Sequence, residues 1–402
     1  MTAVLARDAG AAPVPADPGP PARRDRYIDS LRVLALGRVM VYHTFGWAWL
    51  PLLFPSMGVM FALAGSLVAG SLTRAPHGHY GVIARRLRRL LPPVWALGLV
   101  LVPAMLVGGW ASQGPGEPFR WGHLLLWLLP LGTPPADDQG YEWVVPLWYI
   151  RSYLWFLLLS PALLWLFRRW PGRVLVLFPL TAALSTAGVV QLSGRSGDAV
   201  LDGAVFGACW LLGFAHHDGA LRRLSLRVVL PVAALLMAAG AAWAVHPASG
   251  QGWDIDDVPL ANTLYSLGFV LVLLRLYPSF AWMERVPALD RLVGAVNSRA
   301  MTIYLWGNAS IWAATPLLDA SPLASYYTDS WVGMALQLSA ACTVLLVVVL
   351  LLGWVEDVAA RRPLRIVPRG ERRSTAPAAP PAPASSQAAA TVPPPAPAHP
   401  LA

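Results

Sequence analysis

Residues 331–355 read WVGMALQLSAACTVLLVVVLLLGWV and contain no Asp, Glu, Lys or Arg. A run of this length predicts a transmembrane helix, because about 20 helical residues cross the ~30 Å hydrocarbon layer. Similar apolar stretches recur along the whole chain, so we expect an all-α polytopic membrane protein. The ten predicted spans are 31–54, 56–73, 90–110, 146–167, 174–192, 199–215, 228–246, 259–277, 300–318 and 331–355.

The composition of the 402-residue chain also favours the bilayer as its solvent, since 56% of the residues are hydrophobic and only 13% are charged. Every basic residue is arginine, which together with abundant Ala, Gly and Pro indicates a GC-rich bacterial genome and therefore a bacterial inner membrane. The net charge of +9 fits arginines that orient the spans, and it does not call for a nucleic-acid partner. Cys209 and Cys342 both lie in apolar runs and predict no disulfide framework and no zinc site.

The arginines predict how the spans are oriented. With ten spans and the N-terminus inside, they collect in the cytoplasmic segments, and the outer loops keep only Arg120 and Arg195. The apolar stretch 121–131 has eleven residues, and counting it as a span would place several arginines outside. We expect a re-entrant or interfacial helix there, after the third span, with both termini cytoplasmic. The flanking segments 1–25 and 374–402 are Pro/Ala-rich and predicted to be disordered around a membrane domain at 26–358.

Two ionisable residues of the first span share one helix face. Arg32 and His43 are eleven residues apart, which returns them to within about 20° of one another and separates them by about 16 Å along the axis. Arginine suits phosphate groups, and histidine suits proton removal from a hydroxyl near neutral pH. The alternative is that Arg32 snorkels to the headgroups and His43 bonds a neighbouring helix. Arg38 lies on another face and is interpreted as a bridge between helices.

Four motifs in order resemble the acyltransferase 3 family of membrane proteins. They are DSLR at 29–32 followed by His43, RRLRRLLPPVW at 85–95, PLWYIR at 146–151 and SRAMTIYLW at 298–306. Each motif is weak alone, but their order and spacing cover nearly the whole membrane portion. The resemblance implies an acyltransferase that moves an acyl group, commonly acetyl, from cytoplasmic acyl-CoA to a hydroxyl of a carbohydrate, a glycolipid or a glycosylated metabolite.

The resemblance also implies roles for individual residues, with no bound cofactor and no metal. His43 would be catalytic and Arg32 would orient the donor. The phosphates of acyl-CoA would be held by Arg85, Arg86, Arg88 and Arg89, whose alternative role is to set the topology. The acceptor-side candidates are Trp148, Arg151, Glu142 and Tyr304, although Arg151 is as well explained by an ion pair with Asp138 or Glu142.

Three positions depart from the family pattern. Ala64 stands where relatives often have serine, and Gly307 stands where they commonly have histidine. Many relatives also have a glutamate shortly after the tryptophan that corresponds to Trp148, whereas this chain has no glutamate there and continues to Ser152. A carboxylate near Trp148 must therefore come from elsewhere. His123, His216 and His217 are interpreted as interfacial residues.

Two further functions remain open at this point. Ten spans with buried charges would also suit a transporter or flippase for a lipid or a small metabolite. The departures would suit a degenerate family member that acts as a partner or scaffold.

Overall fold

The computed structural model describes residues 25–75, 78–249, 252–326 and 330–365, and within these ranges the secondary structure consists of helices, with no strand. Apart from Asp25, the two predicted disordered segments lie outside the described residues. The helices are α1 (Arg26–Phe45), α2 (Leu50–Leu53), α3 (Ser56–Thr73), α4 (His79–Val107), α5 (Leu125–Leu128), α6 (Tyr141–Val144), α7 (Leu147–Arg169), α8 (Pro171–Thr186), α9 (Gly194–His217), α10 (Ala220–Arg223), α11 (Leu226–Ala244), α12 (Pro259–Leu276), α13 (Pro287–Ser298), α14 (Ala300–Asp319), α15 (Trp331–Leu352) and α16 (Trp354–Ala360).

Each of the ten predicted spans contains a helix, but within the described ranges only seven segments are long and apolar enough to cross a membrane. Those seven include α3, α4, α7, α9, α11, α12 and α15. The helix α8 has 16 residues and is too short to be counted among them. The helices α1 and α14 have 20 residues each, but they carry more polar side chains and are not apolar enough. The protein is thus an all-helical membrane protein, and its ten-span count remains a prediction.

Two helix ends differ from the ends of the predicted spans. The first span was expected to continue to residue 54, but α1 ends at Phe45 because Gly46 adopts a left-handed conformation (φ 64°) and its N–H bonds the carbonyl of Tyr42. The fourth helix begins at His79, eleven residues before the predicted start, so its arginine cluster is helical. Arginine is a good helix former, and no residue between His79 and Leu90 interrupts the helix.

The stretch predicted to be a re-entrant or interfacial helix forms a 3₁₀ turn, Trp121–Leu124, followed by the four residues of α5. Four 3₁₀ residues and four α-helical residues together rise only about 14 Å, so this segment does not cross the hydrocarbon layer. Trp127 anchors it against Gly98 of α4, where an added Cβ would lie 2.8 Å from the indole. Its depth in the bilayer stays a prediction.

Small residues let α3 and α9 pack at close range. An added Cβ at Gly65 would lie 2.3 Å from the carbonyl oxygen of Trp210, and one at Gly213 would lie 2.2 Å from that of Ala62. Close approach through glycine is the usual way in which membrane helices gain packing energy. Beside this contact, Phe61 and Trp210 are fully buried, and this packing fixes the side of α9 that faces α7.

The two ends of the bundle differ in charge. We call the basic end the one where α1 begins and α3, α9 and α12 finish, since Arg74, Arg222 and the two histidines at the end of α9 meet there. We call the acidic end the one where α1 finishes near Asp254 and Asp256. At that end Arg38 pairs with Asp256 at 2.8 Å, so this arginine fastens a loop to α1.

Candidate active site

His43 lies in a small cavity between α1 and α14. The cavity has a volume of about 20 Å³, which is room for about one water, and His43 itself is exposed. Among the described residues, no hydrogen bond is formed by the imidazole, and its one ring contact is with Tyr42 at 5.6 Å. A ring nitrogen of His43 is therefore available to accept a proton.

Two residues of α14 share this cavity and bond the backbone that leads into α7. The Tyr304 hydroxyl donates to the carbonyl of Pro146 at 2.8 Å, and the Asn308 side-chain amide donates to the carbonyl of Glu142. The structure thus brings His43 and Tyr304 together and places Glu142 beside them through its backbone. An added Cβ at Gly307 would meet only the sulfur of Met40, at 3.6 Å, so the missing side chain there is not forced by crowding.

Arg32 lies further along α1 toward the basic end. Its side chain is half-buried, and in the part of the chain that the structure describes it forms no hydrogen bond or ion pair. It does interact electrostatically with Tyr149, whose ring lies 5.2 Å from Tyr304 and 6.3 Å from Tyr153. A row of tyrosine side chains therefore extends from the His43 cavity past Arg32. An unpaired guanidinium in this setting is costly and favours an anionic ligand.

Of the four arginines of α4, one is bonded to neighbouring helices and three are exposed. Arg86 turns inward and donates to the Tyr153 hydroxyl at 3.2 Å, to the Leu67 carbonyl and to Ser71. Arg89 interacts electrostatically with Glu356 of α16. Arg85, Arg88 and Arg89 are all exposed, and none of them has a hydrogen-bond or ion-pair partner among the described residues.

The acceptor-side candidates Trp148 and Arg151 lie on the side of α7 that faces α9. Trp148 stacks on Phe206 with ring centroids 5.4 Å apart. Arg151 is buried and binds Asp202 of α9 at 2.5 Å, with Asp198 at 3.7 Å and the Thr133 hydroxyl as further partners.

The predicted pairing of Arg151 with Asp138 or Glu142 is therefore wrong. Asp138 instead accepts hydrogen bonds from the backbone N–H groups of Gln113, Gly114 and Gly116. Desolvation acts to raise the pKa of this carboxyl, but the three donors outweigh it and hold the pKa below its ordinary value. The loop thus satisfies Asp138 locally, and α9 supplies the carboxylate for Arg151.

A comparison with known protein families bears on these features. The sequence model of the acyltransferase 3 family, which describes an acyltransferase domain, matches residues 25–354. The chain belongs to the acyltransferase 3 family. No curated protein and no solved structure matches it. The family and the span-length helices together make this a multi-pass membrane protein of an acyltransferase family.

Asp202 is the main site residue that sequence reasoning missed in this acyltransferase 3 protein. It accepts from the Ser152 hydroxyl at 2.7 Å as well as from Arg151, and it interacts electrostatically with Tyr304. It therefore places a carboxylate beside the segment after Trp148, which has no acidic residue of its own. The signal was available, since Asp202 is a lone acidic residue inside a predicted span.

The described residues contain no group of three or more His, Cys, Asp and Glu side chains placed to hold a metal ion.

Proposed function

We propose that the protein is a membrane O-acyltransferase that moves an acyl group, in particular acetyl, from cytoplasmic acyl-CoA to a hydroxyl of a carbohydrate, a glycolipid or a glycosylated metabolite. Family membership supports the reaction class. The observation that carries the proposal is His43, which is exposed, has no hydrogen-bond partner among the described residues, and lies beside Tyr304 and Asn308.

In the proposed reaction His43 takes the proton of the acceptor hydroxyl, and the oxygen attacks the thioester carbonyl carbon. A C–O bond forms and the C–S bond breaks, and the CoA sulfur leaves with the proton held by the imidazolium. Asn308 has two amide hydrogens, of which one is used on the Glu142 carbonyl. Its second N–H is our candidate for stabilising the oxyanion.

The donor would approach from the basic end. Arg32 has no ion-pair partner within the described ranges and lies about 16 Å from His43 along α1, which suits a donor with charge at one end and a thioester at the end of a long arm. Arg85 and Arg88 are exposed and free to meet phosphates. Arg86 is committed to Tyr153 and to α3, so we assign it to shaping the site rather than to direct binding.

The topology of the proposal keeps ten spans with both termini in the cytoplasm of a bacterium, within its inner membrane. The distribution of charge supports it, since arginines gather at the basic end and carboxylates at the acidic end. In this arrangement the donor side and the acceptor side lie at opposite ends of the bundle.

The deciding experiment measures release of free CoA thiol from acetyl-CoA by the protein in lipid nanodiscs with sugar acceptors. His43→Ala should lower the acceptor-dependent rate about 100- to 10,000-fold, the usual contribution of a general base. Because His43 makes no hydrogen bond to the part of the chain that the structure describes, the same change should alter the free energy of unfolding by less than about 0.5 kcal/mol. His79→Ala, an exposed histidine at the start of α4, is the matched control and should keep wild-type activity.

Retained activity in His43→Ala would overturn the catalytic assignment. No release with any acceptor or acyl length would contradict the transferase function itself.

A further inference from the structure

A second cavity, of about 280 Å³, opens at the basic end and is not part of the His43 site. The start of α1, the ends of α3 and α9 and the residues around α10 and α12 form its wall. Its polar and charged lining residues are Asp25, Ser66, Arg74, His216, His217, Arg222 and Tyr277. The lining therefore contains two arginines and two histidines against one carboxylate.

The two arginines of this cavity have no partner of opposite charge. Arg74 and Arg222 are exposed and, within the described ranges, form neither a hydrogen bond nor an ion pair. Other arginines at the same end are engaged: Arg168 pairs with Asp218 at 2.7 Å, and Arg275 donates to the Leu224 carbonyl at 2.9 Å.

The two histidines add to the positive character of the cavity. Arg222 interacts electrostatically with His216, and Arg74 interacts with His217. The Nδ1 atom of His216 lies 2.9 Å from the Ser66 hydroxyl, while its Nε2 atom is buried without a partner in the described part of the chain. A bound anion would both relieve the crowding of like charges and satisfy this nitrogen.

The one carboxylate of the lining is already occupied. Asp25 caps α1 by accepting from the N–H groups of Tyr27 and Ile28, and it also accepts from the Tyr277 hydroxyl. The Tyr277 ring is contacted by His216 at 4.6 Å and by Arg222 at 5.6 Å. This ring thus positions the two cations, and the geometry favours a charged group over a stacked base.

We propose that this cavity binds a phosphate group, free or esterified, through Arg74, Arg222 and the two histidines. Its volume is just below the ~300 Å³ at which pockets for whole small molecules begin, so it suits one phosphate group with part of its ester. Guanidinium groups are the preferred partners of phosphate oxygens. The phosphate can come from a nucleotide, from the headgroup of an anionic lipid, or from free inorganic phosphate.

The test uses the full chain in phosphatidylcholine nanodiscs and follows thermal unfolding by tryptophan fluorescence. Three probes are compared: inorganic phosphate, adenosine 3′,5′-bisphosphate, and phosphatidylglycerol added to the nanodisc. At least one should raise the unfolding temperature in a saturable way. The responding probe identifies the source of the phosphate.

Arg74→Gln and Arg222→Gln should each weaken the apparent affinity about tenfold or more. Both side chains are exposed, so the variants should fold normally without ligand. The matched control is Arg223→Gln, since Arg223 is exposed on the same short helix but does not line the cavity. His43→Ala should bind as the wild type does, which separates this site from the proposed acyl transfer.

The proposal is overturned if none of the three probes stabilises the protein. It is equally overturned if Arg223→Gln weakens the effect as much as Arg222→Gln, because that result would show only a diffuse dependence on surface charge.

Discussion

Replacing Asp202 with alanine removes the carboxylate that binds Arg151 in the interior of the bundle. The Arg151 side chain is 4% exposed and the Asp202 side chain is 20% exposed. Removing one partner of a buried ion pair costs about 3–5 kcal/mol, because the other charge is left without compensation. Asp198 lies 3.7 Å from Arg151 but is 58% exposed, so it offers only a weak substitute. We therefore expect a loss of about 3 kcal/mol, at the lower end of that range.

The measurement is equilibrium unfolding in mixed micelles by titration with sodium dodecyl sulfate, followed by tryptophan fluorescence at pH 7. Asp198→Ala is the matched control and should cost less than about 0.5 kcal/mol. The double variant Arg151→Met/Asp202→Leu removes both charges and should recover most of the loss. A cost below about 1 kcal/mol for Asp202→Ala would refute the reasoning. So would a double variant that loses more unfolding free energy than the Arg151→Met and Asp202→Leu single variants lose together.

Two further predictions concern helix packing and pH. Gly213→Ala should cost about 2–3 kcal/mol in the same unfolding assay, because its Cβ would lie 2.2 Å from the Ala62 carbonyl oxygen. Gly203→Ala is the matched control, which has open space and should be neutral or stabilising. Equal effects of the two changes would contradict the close approach of α3 and α9. For Glu356, burial raises the pKa above 4.5 although hydrogen bonds from Thr302 partly oppose this. The folded state then binds the proton more tightly than the unfolded state, so the stability of the wild type relative to Glu356→Gln should fall as pH rises from 4.5 through the raised pKa; a pH-independent difference would count against it.

Much of the fold was predictable because insertion into a bilayer depends on local, nearly additive transfer of apolar residues. Each predicted span contains a helix, although α1 ends early at Gly46 and α4 begins before its apolar part. The 20-residue helices α1 and α14 are long enough but not apolar enough to count as spans. They are also the helices that carry Arg32, His43, Tyr304 and Asn308. Polar residues in a membrane helix thus weaken the signal for a span and at the same time mark the candidate site.

The candidate site was only partly predictable. The helical period placed Arg32 and His43 on one face, and the motifs pointed to Tyr304 and Arg151. No pattern along the chain could show that Tyr304 and Asn308 share a cavity with His43. The arginines of α4 looked equivalent in sequence, but packing against α3 and α7 engages Arg86 and leaves Arg85 and Arg88 exposed.

The sequence by itself determined the class of the protein, its membrane helices, its family and the stripe of α1 that holds Arg32 and His43. The tertiary structure alone decided which residues of different helices meet: Asp202 with Arg151, Tyr304 and Asn308 with His43, and Arg74 with Arg222 at the basic end. The physical reason is that helix formation and membrane insertion depend on neighbours within a few turns. Contacts between helices depend instead on how closely their small residues allow the backbones to approach, as at Gly65 and Gly213.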